Sequence, residues 1–377
     1  MHRKYVSVLG LLLAAGAAHA QQGVEAQTGG QEVVEDSKAA ISGALIGTYQ
    51  DTSQDRVAGQ TVDNEANAQL YLFGSHAIGP GTFNIEVRAG TTPRNNGVTS
   101  VYGEVNDTVG ETLDTHGDGR IAATQIYYNL AVGPGELTVG LIDSSGLLDA
   151  NEIADDEYSQ FLGTSFVNNP AIDYPTFVLG ADYRAALSEH LGYQVFVGSS
   201  GGLEDEDDPT YGNVFDVGES GKGDFSAAEL DWHVADLYGD VGVWHNGRDH
   251  ASLTHPNDDD RDSYGAYTTV GGDVGAGQWV AWAGIANDRI SEAANFLALA
   301  YSREFDDVTL GAGISRIGVS DERPEPSDSI EQAEIYARFK VAEELYLSPD
   351  IQYVNNSGFD PALDDVLVAG LRAGVEF

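Results

Sequence analysis

Residues 367–377 read LVAGLRAGVEF, and the fold turns on how these eleven letters alternate. The odd positions are Leu367, Ala369, Leu371, Ala373, Val375 and Phe377. The even positions are Val368, Gly370, Arg372, Gly374 and Glu376. One face is wholly apolar, and the other holds both charges and both glycines. Period two is the signature of a β-strand whose faces meet different surroundings. The segment before it repeats the pattern. Leu345, Leu347, Pro349, Ile351 and Tyr353 share one face, while Tyr346, Ser348, Asp350 and Gln352 share the other. Earlier still, Ala333, Ile335, Ala337 and Phe339 oppose Glu334, Tyr336, Arg338 and Lys340.

Working outward along the chain, the alternation recurs. Phe83, Ile85 and Val87 oppose Asn84, Glu86 and Arg88. Phe177, Leu179, Ala181 and Tyr183 oppose Asp182 and Arg184. Ala228, Leu230, Trp232 and Val234 oppose Glu229, Asp231 and His233. Val241 and Val243 oppose Asp240, Gly242 and Trp244. Parsed in this way the chain contains about 16 strands, an even number as bacterial outer-membrane barrels require. Short connections such as Gly79-Pro80-Gly81, Gly133-Pro134-Gly135 and Gly275-Ala276-Gly277 carry residues suited to tight hairpins. Between them lie mostly long acidic stretches, near residues 90–120, 144–174, 200–223, 248–261 and 320–329. The connection at 288–292 is shorter than this rule expects.

Composition narrows the class. The 377 residues carry 60 Asp+Glu against 18 Lys+Arg, a formal net charge of −42. Phosphate backbones demand Lys and Arg, so no nucleic-acid partner is expected. Zero Cys removes disulfide scaffolds, thiolate metal sites and Cys nucleophiles. The 46 Gly and 18 Tyr fit a β-rich chain. Residues 1–20, MHRKYVSVLGLLLAAGAAHA, have a basic start, a short apolar run and Ala18-His19-Ala20, the pattern of a cleaved secretory signal peptide. Cleavage removes Arg3 and Lys4 and takes the charge from −42 to −44. Residues 21–37 read as a flexible lead, and 38–377 as the barrel. No later stretch offers roughly 18 apolar residues in a row, so any membrane crossing is made by strands.

The polar face is too charged to pack a dry interior, whereas the apolar face is aliphatic with aromatics near strand ends. A closed barrel pairs every backbone group internally and so tolerates lipid. The expected fold is therefore all-β: a transmembrane, antiparallel, up-and-down β-barrel in the cell outer membrane. Its greasy face meets outer-membrane lipid and its lumen holds water. A soluble barrel and a periplasmic two-sheet sandwich are the alternatives.

The C-terminal run SPDIQYVNNSGF (Ser348–Phe359), followed by DDVLVAGLRAGVEF (Asp364–Phe377), resembles the carbohydrate-selective porin family of Gram-negative outer membranes. So does LTVGLIDSSGLLDANEIADDEYSQFLGTSFVNNPAIDYP (Leu137–Pro175). Asn356-Ser357-Gly358 stands where the family would have Asn-Pro-Gly. The resemblance implies a 16-stranded channel for passive diffusion of sugars, narrowed by long loops folded inward and lined by Arg and acidic side chains. Family members are described both as monomers and as trimers, so a homotrimer stays open.

Parity places Glu86, Arg88, Asp182, Arg184, Glu229, Asp240, Glu334, Arg338, Lys340 and Arg372 on the lumen side, with Trp244 and Tyr336 as aromatic platforms for a sugar ring. Charge in a narrow wet pore selects by electrostatics and hydrogen-bond geometry. Arg presents a rigid fork of donors suited to vicinal hydroxyls. The plainer reading is that these groups solvate a wide lumen and pair with one another. The stretch 144–174 is the candidate inward loop, with Tyr158, Phe161 and Phe166 as anchors and a short helix expected within 151–166. The acidic runs Glu204–Asp208 and Asp258–Asp260 could take calcium, but a solvated external face explains them as well. Asp114–Gly119 matches a calcium loop poorly, because Gln125 stands where Glu belongs. No nucleophile elbow or Ser-His-acid set is present, so the chain reads as not an enzyme and without a cofactor. The expected function is a porin for small hydrophilic solutes, most of all carbohydrates. A general cation-preferring porin and a structural or adhesive barrel are the rivals.

Overall fold

The computed structural model describes residues 39–57, 59–110, 112–203, 209–215, 222–255, 262–324, 327–360, 362–363 and 365–377. The expected leader 1–20, the lead 21–37 and both acidic runs lie outside the described residues. The chain forms β1 (Ala40–Thr52), a small hairpin β2 (Arg56–Val57) and β3 (Gln60–Thr61), then β4 (Glu65–Ile78), β5 (Gly81–Gly90), β6 (Ile121–Val132) and β7 (Gly135–Ile142). There follow β8 (Val178–Ser188), β9 (Leu191–Ser199), β10 (Asp224–Val234), β11 (Leu237–Asn246), β12 (Ser263–Val274) and β13 (Gly277–Ala286). Last come β14 (Ala293–Phe305), β15 (Val308–Val319), β16 (Ile330–Lys340), β17 (Leu345–Asn355) and β18 (Val366–Glu376).

All strands but the β2–β3 hairpin join one closed antiparallel barrel, each beside its neighbour in sequence. The barrel has 16 strands, the number that the alternation predicts. Closure comes from β1 pairing with β18, running from Ala44↔Glu376 to Thr52↔Val368. Gly43 and Phe377 exchange two backbone hydrogen bonds, at 2.8 and 2.9 Å, so the last residue seals the seam. Closure leaves no edge strand with unpaired amides, which hydrocarbon would penalise. The hairpin across 287–292 is formed in spite of its short connection, with β13 and β14 in register from Gln278↔Ser302 to Ile285↔Asn295.

The faces fall as the alternation requires. Ile335, Leu297 and Leu371 stand exposed on the outside at 65, 61 and 46%, whereas Arg372 and Glu334 point inward at 1% each. Rim aromatics cap the apolar band: Tyr128 and Tyr183 donate their hydroxyls to Ile78 and Val132 carbonyls beside the short turns. Such girdles mark the lipid–water boundary.

Two expectations fail locally. Phe177 was placed on the outward face, but it has φ +55 and is fully buried inside with Leu141, Leu203 and Val214. The left-handed residue just ahead of β8 reverses its direction, so period two cannot be extended through it. The helix expected within 151–166 is reduced to one turn, Thr164–Val167, because side chains such as Asn151 and Asp156 bond nearby amides and set turns instead.

Candidate functional site

The barrel interior is divided. Residues 143–177 cross it and pack against β8–β18, while β1 and β4–β7 line the open space. Loop residues Phe161 and Phe166 are fully buried, with Phe161 edge-on to Tyr336 at 5.0 Å and Phe166 near Trp282 at 6.3 Å. Further back, Ile142, Leu147, Leu148 and Ile172 cover Phe196, Phe225, Trp244 and Tyr267.

Polar side chains of the wall grip the loop backbone. Glu334 accepts the amides of Leu162 and Gly163, both at 2.8 Å. Arg372 donates to the carbonyls of Glu157 and Gln160, both at 2.5 Å. Ser165 donates to Gln332 at 2.6 Å. A Cβ at Gly163 would lie 2.3 Å from the Gln332 amide nitrogen, so a larger residue there would displace that side chain. Glycine on the wall serves the same end elsewhere: the rings of Tyr336, Tyr346 and Tyr267 lie across Gly311, Gly374 and Gly242 of the neighbouring strands. Flattened against the sheet, they leave room for the loop.

A second loop, 91–120, also folds inward. Tyr102 and Val105 are fully buried. Four glutamines of the wall hold its carbonyls: Gln50 and Gln352 both donate to Val105, Gln69 to Thr108 and Gln332 to Glu104. The two loops meet where the Asp107 amide donates to the Leu162 carbonyl at 2.8 Å. Uncharged donors on the lumen parity of separate strands were the available clue. In Asp114–Gly119 the Asp114 carboxylate accepts the amides of His116 and Asp118, which hold its pKa below the usual value. Among the described residues no three His, Asp or Glu are spaced to hold a metal.

What remains is a cavity of about 1300 Å³. Its lining runs from Ser42 and Asn129 near the short turns to Thr115 and Pro209 in the long loops, so it spans the height of the barrel. Arg88 is its only basic side chain among the described residues. It faces nine acids: Glu86, Asp107, Asp114, Asp143, Glu152, Asp155, Asp156, Glu157 and Asp173. Arg88 Nε donates to Glu86 at 2.6 Å, and its terminal nitrogens lie 3.8 Å from Asp143 and from Glu157. Its guanidinium also sits over the rings of Tyr71 and Phe177, at 5.1 and 4.9 Å. Deep placement and Glu157 push the Asp107 carboxyl up to about 7; burial, with Glu157 and Asp149 nearby, lifts Asp155 well above the carboxylate range.

The twelve side chains chosen by parity thus separate into groups. Glu86 and Arg88 line the cavity. Arg372, Glu334 and Tyr336 bear the loop. Arg184 pairs with Asp182 at 3.1 Å and donates to the Leu147 carbonyl at 2.7 Å. Glu229 accepts the Asp149 amide at 3.2 Å, and Asp240 accepts the Thr269 amide at 3.2 Å. Trp244 is 3% exposed and Tyr336 2%, so loop residues occupy the faces that would have stacked on a sugar. Arg338 pairs with Glu376 at 2.5 Å over the Tyr346 ring, and Lys340 is exposed at the rim.

Comparisons with known proteins agree with this architecture. Residues 273–377 match the sequence model of the carbohydrate-selective porin, OprB family. The resemblance read at Ser348–Phe359 and Asp364–Phe377 falls inside that match and is borne out there; the one at Leu137–Pro175 falls outside it. A high-pH structure of Pseudomonas putida OprB superposes with a TM-score of 0.69 over 90% of this chain and 94% of its own, at 16% identity. A mutant of the Rh. blastica porin gives 0.52 over 90% of this chain and 100% of its own, at 14% identity. An uncharacterized Aquifex aeolicus protein is 33% identical over 84 residues, which is 22% of this chain. The match spans only 27% of that relative's length.

Proposed function

We propose that this outer-membrane β-barrel, whose residues 273–377 match the carbohydrate-selective porin family, is a passive diffusion channel for small hydrophilic solutes, carbohydrates above all. One observation carries the reading: a cavity lined by polar side chains runs the height of the barrel and is bounded on one side by a loop anchored to the wall. A solute that fits exchanges water for hydrogen bonds to Asn84, Gln125, Asn129 and the Arg88 pair, then leaves because each contact is weak. Residues 143–177 act as the constriction. No chemistry and no cofactor enter the cycle.

The nine carboxyl groups facing one guanidinium support a second property of the same bore, a preference for cations over anions. The purified protein in a planar bilayer tests both. The expected result is a conductance that sugar reduces in a saturable way, with a reversal potential of cation sign in a salt gradient. A barrel that conducts nothing would overturn the reading and favour a structural role.

A further inference from the structure

The loop 143–177 is attached to the wall at two places of different composition. At β16 and β18 it meets Glu334 and Arg372, an acid and a base that grip amides and carbonyls. At β10–β12 it inserts Asp149 among other acids. Asp149 has φ +56 and is 5% exposed. Its two oxygens accept from Thr269 Oγ1 at 2.5 Å and Asn169 Nδ2 at 2.6 Å, and its amide donates to Glu229 at 3.2 Å.

The groups facing this point can be named element by element. β8 supplies Asp182 and Arg184, which pair with each other. β10 supplies Glu229, with Asp231 two residues further along the strand. β11 supplies Asp240, and β12 supplies Tyr267. The loop itself adds Asp155 and Tyr174. The Tyr267 hydroxyl is buried, has no hydrogen-bond partner, and interacts most strongly with Glu229 among these charged neighbours. Arg184 is the only cation of the set, and it is engaged by Asp182 and the Leu147 carbonyl. Carboxyls gathered around one buried point cannot all be ionised without large repulsion.

We propose that the cluster of Asp149, Glu229 and Asp240 is a proton-operated latch: while it holds protons the loop stays seated, and when it loses them that end of the loop lifts from β10–β12 and widens the bore. The inference rests on the reading of this barrel as a sugar channel with a loop constriction. The sign follows from linkage. Burial raises the Asp149 carboxyl from 3.8 to about 7 in the seated loop. A lifted, hydrated carboxyl returns to the ordinary range. Seating is therefore strongest at acid pH, weakens as pH rises from 3.8 toward 7, and levels off above. At the other end Arg372 holds the carbonyls of Glu157 and Gln160, which keeps the loop in the barrel.

Proteoliposome swelling driven by uncharged sugars of increasing size separates the latch from electrostatic effects on ions. The full-length protein is expected to admit glucose at every pH from acid to neutral. It is expected to admit a larger trisaccharide faster as pH rises toward 7. Asp149→Asn and, separately, Asp240→Asn relieve the repulsion without a proton, so each is expected to reduce the pH dependence of trisaccharide uptake. Uptake of both sugars that ignores pH would overturn the latch and leave the channel standing. So would an unchanged pH dependence in both variants. Failure to admit any sugar at any pH would overturn the channel reading and the latch together.

Discussion

Glu86 Oε1 and Arg88 Nε lie 2.6 Å apart on the same face of β5, so the one cation among the described residues of the cavity wall is neutralised at its source. Two further carboxylates approach the same guanidinium at 3.8 Å. Arg88→Gln therefore leaves a wall of acids with no counter-charge. The reversal potential in a salt gradient is expected to move further toward the cation limit. A shift toward anions would contradict this placement of charge.

Arg372 is buried and spends its fork on two loop carbonyls. Hydrogen bonds to charged groups contribute about 1.5–3 kcal/mol each. Arg372→Ala is expected to loosen residues 157–160 and to give larger, noisier single channels. Arg372→Lys should recover only part of the native trace, because an ammonium cannot match the planar fork. Quiet native-sized channels in the Ala variant would show that the loop is held elsewhere.

Phe166 is fully buried between Phe161 and Trp282. Truncating a buried Phe to Ala typically costs about 3–5 kcal/mol. Here that loss falls on loop seating, since the barrel ladder does not involve Phe166. Phe166→Ala is expected to raise conductance while barrel stability in a denaturant series changes little. Unfolding of the barrel with the loop would contradict the separation.

Leu371 lies mid-strand on the outer face, while Ile41 lies at the short-turn rim. Arg at mid-bilayer on a barrel exterior costs about 2–4 kcal/mol, falling to about 0–1 near the interface. Leu371→Arg is expected to lower folding stability in lipid vesicles well beyond Ile41→Arg. Equal losses would argue against lipid on this face.

Asp107 titrates near 7 within the cavity lining. Its carboxyl is neutral below that pH and adds a negative charge above it. Cation selectivity is expected to rise as pH passes through about 7, and Asp107→Asn should flatten part of that rise. A selectivity that falls with pH would contradict the sign.

The strands were legible because lipid on one side and water on the other impose a period that single residues display. The C-terminal strand alone, with Leu371 beside Arg372, carries the rule. The site was legible only in part. Glu86 and Arg88 reach the cavity as parity implied, but parity reports a direction and not a partner. Arg372 and Glu334 point inward as expected and are consumed by a loop that lies some 170–215 residues away in sequence. Loop 91–120 has no repeat of its own. Its position is written in Gln50, Gln69, Gln332 and Gln352, four side chains on four strands whose common target appears only once the barrel closes. Phe177 was misplaced because one left-handed residue cancels the alternation on which the reading depended.

The central claim is that apolar residues face lipid around a wet bore open to sugars. Single-channel current through the purified full-length protein, recorded while glucose is titrated into one chamber, tests it most directly. A stable current that falls in a saturable manner as sugar occupies the bore is the expected result. A reconstituted, folded barrel that carries no current, or whose current ignores every sugar tried, would contradict it.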